Sequence, residues 1–508
     1  MNKIPSVAFS VPDLDGQVKM QLKSKDDGRD LSCVMIVFRN GKSAHVKAVS
    51  YVAASVAGVS FAMTGVSALG ALTASPAAAA GSTGPSFGVM MGWFHSMATN
   101  GMLSVNYPPI YRSFTRNFAF STGLITWRQL QSSIDNFRQH SGGNITDDSY
   151  DFLHHSTLTF SNASSPDTSS KLKRGFDFAY ATSKLFVPRD GGGGGQEQQN
   201  IISASGIKAF SEQLSVPHAN TFMTVFLVFA IVVAAIVVSI LLCKVILEMW
   251  AKRGNLPNKL AGLRNDYWGL MARTITNLIL ILYGVWVLYC IYEFTSGDSW
   301  AAKLLAAVTL VVFTAVLAFF TLRIWRLARK YKQTEGDTSR LYEDKETWRK
   351  YSLFYDNYKK DYWWIFIPVI VYSFAKGCVV AAGNGHGLAQ STVQLVIEAL
   401  MLALLLWKRP YVAKSAQVIN ITIQVVRVLS IACVLVFVEE LGFNQTTKTV
   451  TGVVIMVIQS VLTGVLAILI AANAVVSCIR ENPHVRRRRE AGKFSPHTYI
   501  HKGVKCRF

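Results

Sequence analysis

Long apolar runs alternate with short polar connections along most of the chain. Each run holds about 20 residues, the length at which a helix rising ~1.5 Å per residue crosses the ~30 Å hydrocarbon core of a bilayer. Because lipid offers no hydrogen-bond partner, the backbone of such a run must satisfy itself as a helix. We therefore predict a mainly α, polytopic helical membrane protein with about nine spans. The predicted spans are 48–74, 86–106, 221–243, 270–292, 301–322, 363–383, 388–407, 418–438 and 449–476.

Two of these spans rest on weaker patterns than the other seven. The second run contains His95 and Asn100, which are unusual in a lipid-facing helix. The first run is rich in Ala, Gly and Ser, which suits close helix packing better than contact with lipid. In the ninth run, Ser460 and Gly464 are four residues apart and form a predicted small-residue packing pair.

The N-terminal residues alternate between apolar and polar positions, as β-strands do. Three such stretches, SVAFSV, GQVKMQL and LSCVMIVF, lie within 5–43 and are separated by turn residues. Three strands are too few for an independent sandwich, so 1–47 is predicted to be a partial β domain. After the two N-terminal spans within 48–106, the segment 107–220 begins with aromatic residues. It then changes to Ser- and Gly-rich linker composition, so it is predicted to be an extracytosolic loop and linker.

Charge predicts the orientation of the spans. The chain has 508 residues, of which 51% are hydrophobic and 16% charged, and its formal net charge is +21. Twenty-eight Lys and Arg residues lie in the connections 244–269, 323–362 and 408–417 and in the tail 477–508. The short connections on the opposite side carry only Lys448. By the positive-inside rule the basic connections and the tail are cytosolic.

Nine spans then place the N-terminus in the lumen or outside the cell. The eight Lys and Arg residues of the N-terminal segment alone favour the opposite orientation. Three glycosylation sequons, at Asn144, Asn162 and Asn444, fall on the predicted luminal or outer side and agree with the first assignment.

The last four spans carry polar side chains at helical spacing. Asn420, Gln424 and Arg427 share one helical face of the eighth span. Because charges facing hydrocarbon are costly, these stripes are expected to face one another or a water-filled cavity. They could form a buried structural pair or triad, or line a transport path. The transport-path candidates are Lys376, Gln394, Glu398, Asn420, Gln424, Arg427, Glu439 and Glu440.

Enzyme chemistry has little support in the sequence. We find no nucleophile–base pair, no metal-ligand cluster and no Gly-rich nucleotide motif, so we expect no catalytic residues, metal or bound cofactor. The basic, aromatic segment 323–362 and the cluster at 480–490 adjoin the predicted membrane surface. They are expected to set topology or to contact anionic lipid head groups, and not to bind nucleic acid.

Two stretches resemble one known family. Residues 408–484, beginning KRPYVAKSAQVINITIQVVRV, resemble the TRP-like membrane domain of the fungal flavin carrier (Flc) family, and 100–127, NGMLSVNYPPIYRSFTRNFAFSTGLITW, are similar to its segment after the second span. The resemblance implies a signal peptide, a luminal ML-like lipid-binding β domain and a multi-span region. We accordingly interpret 1–47 as the remnant of an ML-like domain, expect its remainder and the signal peptide to be missing, and assign a seven-span TRP-like domain to 221–476.

For function, the resemblance implies FAD transport into the endoplasmic reticulum lumen, with links to cell-wall maintenance and calcium homeostasis. The alternative is a TRP-like calcium-permeable cation channel, for which Glu398, Glu439 and Glu440 would matter most. A second alternative is a membrane scaffold or lipid-handling protein. FAD or calcium is thus the expected solute, the endoplasmic reticulum or the plasma membrane the expected location, and a homo-oligomer is compatible with each function.

Overall fold

The fold was established from a computed structural model. It describes residues 13, 15–23, 30–39, 42–73, 85–146, 148–160, 200–253 and 267–479. The α-helices are α1 (Lys47–Thr73), α2 (Phe87–Asn100), α3 (Pro109–Arg116), α4 (Arg128–His140), α5 (Tyr150–His154), α6 (Gly206–Glu212), α7 (Thr221–Arg253), α8 (Tyr267–Ser296), α9 (Trp300–Glu335), α10 (Arg340–Glu343), α11 (Lys345–Tyr355), α12 (Phe366–Ala382), α13 (Gly387–Lys408), α14 (Lys414–Leu435) and α15 (Gln445–Ile479). The β-strands are β1 (Asp15–Lys23), β2 (Asp30–Arg39), β3 (Ser156–Phe160) and β4 (Asn200–Ala204).

Eight helices among the described residues are long and apolar enough to cross a bilayer: α1, α7, α8, α9, α12, α13, α14 and α15. The prediction of a span at 86–106 is wrong. Helix α2 has 14 residues, about 21 Å at ~1.5 Å per residue, which is shorter than the hydrocarbon core. It ends at Gly101, where any side chain would collide with Thr115. The luminal position of the N-terminus was inferred from an odd number of spans. Since eight candidate helices are described, that inference has no support from the count, and the position stays a prediction.

Helix α2 is an internal helix packed against α1, α8 and α14. Its second half is buried, and this explains how His95 and Asn100 are accommodated. The His95 ring nitrogen Nε2 lies 2.7 Å from the carbonyl oxygen of Ser121, and Thr99 donates its hydroxyl to the carbonyl of His95 at 2.8 Å. Polar side chains that would be costly in lipid are therefore hydrogen-bonded inside the bundle.

Helix α8 lies at the centre of the bundle and packs against α7, α9 and α12. Two glycines bring α8 and α12 together, since a methyl group added at Gly377 would lie 2.5 Å from the carbonyl oxygen of Gly284. Further along α8, the buried Trp286 packs against Phe313 at a centroid distance of 4.6 Å. Small residues thus allow the backbones of α8 and α12 to approach closely at Gly284 and Gly377. Near Trp286, aromatic rings fill the space between α8 and α9.

The outer surface of the bundle carries large apolar side chains, including Val311, Leu400 and Ile468, which are 66%, 66% and 70% exposed. These are the side chains that lipid would cover. Ser460 and Gly464 of α15 also lie on this exposed surface, with no atom within 4 Å of a methyl group built at Gly464. Within the described residues no neighbouring helix covers Gly464, so the packing pair stays a prediction.

The connections between helices lie at the two ends of the bundle. At one end, called here the basic side, residues 336–360 meet 409–413, and the amide of Lys359 donates to the carbonyl of Pro410 at 2.8 Å. At the other end, the loop side, the amide of Asn106 donates to the carbonyl of Phe437 at 3.1 Å. Helices α12, α13 and α14 therefore run alternately between the two sides.

The strands form two small sheets. Strands β1 and β2 pair antiparallel, with Asp15 opposite Arg39, and they include two of the three strands expected within 5–43. The first expected strand lies outside the described residues. Strands β3 and β4, on either side of the undescribed segment 161–199, pair in parallel, with Ser156 opposite Asn200.

Candidate functional site

A central cavity of about 500 Å³ lies among α1, α2, α8, α12 and α14. This volume is within the ~300–1,000 Å³ range of ligand pockets. The cavity extends from the middle of the bundle, at Ser96 and Arg427, to the basic side, where it is lined by Asn357. Asn357 is exposed, whereas Met102 and Leu103, beyond the other end of the cavity, are buried. The cavity thus reaches the basic side, and among the described residues its lining includes none from the loop-side connections 101–107 and 436–444.

Lys376 and Glu398 form an ion pair beside the cavity. Lys376 Nζ lies 2.7 Å from Glu398 Oε1, while Glu398 Oε2 accepts hydrogen bonds from the Tyr372 hydroxyl at 2.8 Å and from Gln424 Nε2 at 2.6 Å. Glu398 is completely buried and does not line the cavity. Its negative charge is therefore satisfied by the protein, and the cavity wall presents Lys376 and Tyr372 instead.

Arg427 has no such partner. Its Nη2 donates to the carbonyl oxygen of Gly92 at 2.6 Å, and its buried Nε has no hydrogen-bond acceptor. Among the described residues, no carboxylate lies within 4.0 Å of its guanidinium. Arg427 therefore lies at the cavity wall, half-way along α14, held by its hydrogen bond to the Gly92 carbonyl and not by an ion pair.

The opening on the basic side carries one charge of each sign. Arg273 Nη1 donates to the Ser352 hydroxyl at 2.9 Å and to the carbonyl of Arg349 at 3.1 Å. Burial raises the pKa of Asp356, against the hydrogen bond from Trp348 and the charge of Arg273, which lower it. The cavity is therefore lined by three basic side chains, Arg273, Lys376 and Arg427, and by one acidic side chain, Asp356.

The other predicted transport-path residues divide into three groups. Asn420 and Gln424 line the cavity. Gln394 is buried outside the cavity wall, and its Oε1 lacks a hydrogen-bond partner. Glu439 and Glu440 are exposed in a short 3-10 helix on the loop side, where Glu439 accepts a hydrogen bond from Asn106 at 3.0 Å. The structure therefore does not bring these two glutamates to the cavity.

Of the predicted glycosylation sites, Asn144 and Asn444 are exposed on the loop side. The Asn144 side-chain oxygen accepts hydrogen bonds from the backbone amide and the hydroxyl of Thr146, at 3.0 and 2.8 Å. Asn162 lies outside the described residues. Glycosylation of the two described sites stays a prediction.

Comparison with known proteins identifies the family. Residues 49–495 match the family described as transient receptor potential (TRP) ion channel, and residues 1–44 match the ML-like domain. The chain belongs to the TRP ion channel family. This confirms the resemblance inferred from the two sequence stretches, and the mainly α, polytopic membrane fold with an N-terminal ML-like fragment. The description of the family is that of channels and not of enzymes.

Among curated relatives, this TRP family member is similar to flavin carrier protein 2 of Saccharomyces cerevisiae, with 26% identity over 95% of the chain and 62% of the relative. It is 25% identical to TRP-like ion channel protein flc1 of Cryptococcus neoformans, over 91% of the chain and 61% of the relative. TRP-like ion channel pkd2 of Schizosaccharomyces pombe is 21% identical over 95% of the chain. The chain spans about three fifths of the length of the first two relatives. No solved structure matches.

Sequence reasoning missed several residues of the cavity in this TRP family member. Tyr372 lies one helical turn before Lys376, so the same spacing rule that selected Gln424 could have selected it. Arg273 and Asp356 lie near the membrane surface in the sequence, where a charged residue is ordinary, and only the packing of α11 against α8 brings them to the opening. The polarity of His95 is visible in the sequence, but the predicted span at 86–106 gave it no role, and the structure places it at the cavity wall.

Proposed function

We propose that the chain moves FAD, a phosphate-bearing flavin nucleotide, across the membrane through the central cavity. The observation that carries the proposal is the balance of charge, because three basic side chains and one acidic side chain line the cavity. Arg427 in particular lines the cavity with a guanidinium, the group best suited to bind a phosphate oxygen. Tyr358, Tyr372 and Tyr411 also line it and offer flat surfaces for aromatic rings. The names of the flavin carrier relatives support the same solute.

The direction of access follows from topology. The cavity reaches the basic side, which the positive-inside rule makes cytosolic. The arrangement therefore corresponds to a carrier loaded from the cytosol. We propose the endoplasmic reticulum as the membrane, with FAD supplied to its lumen, and anionic lipid head groups as contacts of the basic side.

A cation channel is the second candidate, and it is favoured by the names of two relatives. The positions of the acidic side chains argue against it. Glu398 is enclosed by Lys376, Tyr372 and Gln424, and Glu439 and Glu440 lie outside the cavity. A cation entering the cavity would instead meet the basic side chains of Lys376 and Arg427 at its wall.

The test is uptake of labelled FAD into proteoliposomes containing the full chain, with calcium flux measured in parallel. Arg427→Gln is expected to reduce FAD uptake at least about tenfold, since hydrogen bonds to charged groups contribute ~1.5–3 kcal/mol. Arg326→Gln is the matched control, because Arg326 is exposed on α9 away from the cavity. Both variants must elute as folded protein in size-exclusion chromatography.

The same vesicles separate the remaining candidates. If Glu439→Gln with Glu440→Gln alters calcium conductance while FAD never enters, the channel is correct and the carrier is refuted. If neither solute moves through the wild-type chain, the scaffold or lipid-handling alternative replaces both. Equal FAD uptake by Arg427→Gln and wild type would remove Arg427 from the transport path.

A further inference from the structure

A second polar cluster lies on the loop side, outside the central cavity. It combines Asp148 from the loop before α5, Glu212 at the end of α6, and His218 in the turn before α7. One ligand atom from each residue lies within 4.8 Å of the other two. Asp148 and Glu212 are 64 positions apart along the chain, and Glu212 and His218 are six apart, so no short sequence motif identifies the cluster.

One carboxylate oxygen of Glu212 in this cluster lacks a hydrogen-bond partner. Its side chain is 2% exposed, and Oε2 is buried without a hydrogen-bond partner. The other oxygen, Oε1, lies 3.4 Å from His218 Nδ1 and 3.8 Å from Lys208 Nζ. A buried carboxylate oxygen without a partner is costly, so the site calls for a positively charged or hydrogen-bonding occupant.

Asp148 is oriented so that one oxygen is left for the cluster. Its Oδ2 accepts a hydrogen bond from the Ala219 amide at 3.1 Å and lies 3.5 Å from Arg138 Nη2. Its Oδ1 lies 3.2 Å from His218 Nδ1.

The spacing around His218 resembles that of ligands around a metal ion. Charge-assisted hydrogen bonds between nitrogen and oxygen measure ~2.7–2.9 Å. The two distances from His218 Nδ1 are longer, 3.2 and 3.4 Å. Four ligands at ~2.1 Å from a tetrahedral zinc ion are separated from one another by about 3.4 Å.

We propose that Asp148, Glu212 and His218 bind a divalent transition metal ion, for which Zn²⁺ is the probe. One neutral imidazole and two carboxylates would compensate the +2 charge, with water as the fourth ligand. The imidazole disfavours Ca²⁺ and Mg²⁺, which take oxygen ligands. The competing occupant is a proton, with His218 held as an imidazolium between the two carboxylates.

The metal would join three separate pieces of chain. The loop containing Asp148, helix α6 and the start of α7 would share one ion, fixing the loop-side layer to the helix bundle. This role is independent of transport through the central cavity. The site therefore stabilises the protein whether or not the chain carries FAD.

The test uses the full-length chain in detergent, stripped of metal and then dialysed against Zn²⁺. Elemental analysis is expected to find about one zinc bound at this site, and X-ray absorption to show one imidazole with oxygen ligands and no sulfur. Glu212→Gln and His218→Gln should lose that zinc and its increase in melting temperature. His140→Gln, which changes an exposed histidine on the same side, should retain both.

Calcium supplies the selectivity control and should neither displace zinc nor raise the melting temperature. If the two site variants do not fold, the wild-type zinc titration and its absorption spectrum decide. Zinc retained in His218→Gln, a sulfur-containing ligand set, or a melting temperature that zinc leaves unchanged would overturn the proposal. In the last case the imidazolium is the occupant.

Discussion

At the scale of the residue, the pair Lys376–Glu398 shows how the bundle accommodates charge. Glu398 is fully buried, and both oxygens are satisfied by three side chains from α12 and α14. Glu398→Gln should destabilise the chain by about 3–5 kcal/mol, because it leaves Lys376 without its counter-charge. The measurement is thermal and denaturant unfolding in detergent.

The double variant Lys376→Met with Glu398→Met is the control for this prediction. Removing both charges together leaves no unpaired ion, so it should recover most of the lost stability. If the single variant is as stable as the wild type, the pair does not hold α12 against α13 in the way the geometry indicates.

Arg138 makes a second prediction at the residue scale. It is completely buried on the loop side and contacts Asp298 Oδ2 at 2.5 Å and Asn220 Oδ1 at 2.7 Å. Arg138→Met should cost up to about 3 kcal/mol, because it leaves several partly buried carboxylates without their counter-charge. Arg128→Met, at an exposed position of the same helix, should change the melting temperature little. Similar stability of the two variants would contradict the prediction.

The sequence predicted part of this chemistry because part of it is local. Glu398, Gln424 and Arg427 were selected by helical spacing, and the structure buries Glu398 and places Gln424 and Arg427 at the cavity wall. Helical spacing could select Asp135 as a partner of Arg138, but not Asp298. Asp298 is 160 residues away in the chain, and only the folded loop side brings it near.

At the scale of the element, the contact between α8 and α12 depends on Gly377. An added methyl group would lie 2.5 Å from the carbonyl oxygen of Gly284 and 3.1 Å from the amide nitrogen of Leu288. Gly377→Ala should therefore destabilise by about 1–3 kcal/mol, since backbone cannot move aside as a side chain can. Gly464→Ala, where nothing lies within 4 Å, is the matched helical control.

Melting temperatures of the two variants measure the difference directly. Equal values would mean that α8 and α12 separate enough to admit the methyl group. The result also bears on the cavity, because Gly284 and Gly377 line it. A wider helix spacing should therefore change solute uptake as well as stability.

The elements themselves were predictable to different degrees. The seven strong apolar runs became long helices because length and composition leave no other structure in lipid. The prediction of a span at 86–106 was wrong because composition does not show that the helix ends at Gly101, where the backbone lies close to Thr115. Polar side chains in that run were the available warning, since they indicate an internal helix better than a lipid-facing one.

At the scale of the whole molecule, the two sides of the bundle can be assigned by experiment. Asn357 and Glu440 are both exposed, and α12, α13 and α14 separate them, so they lie on opposite sides. We predict that the basic side, with Asn357, faces the cytosol. The assay places single cysteines at these positions in a chain whose seven native cysteines are replaced by serine.

In sealed microsomes with the cytosolic face outward, a membrane-impermeant maleimide should label Asn357→Cys at once. Glu440→Cys should react only after the membrane is permeabilised. The reverse order would place the cavity opening in the lumen, and FAD loading from the cytosol would then be impossible in this conformation. Labelling of both cysteines in sealed vesicles would contradict the antiparallel arrangement of the three helices. The sealed vesicles thus test the direction of transport through the accessibility of the cavity, independently of any measurement of flux.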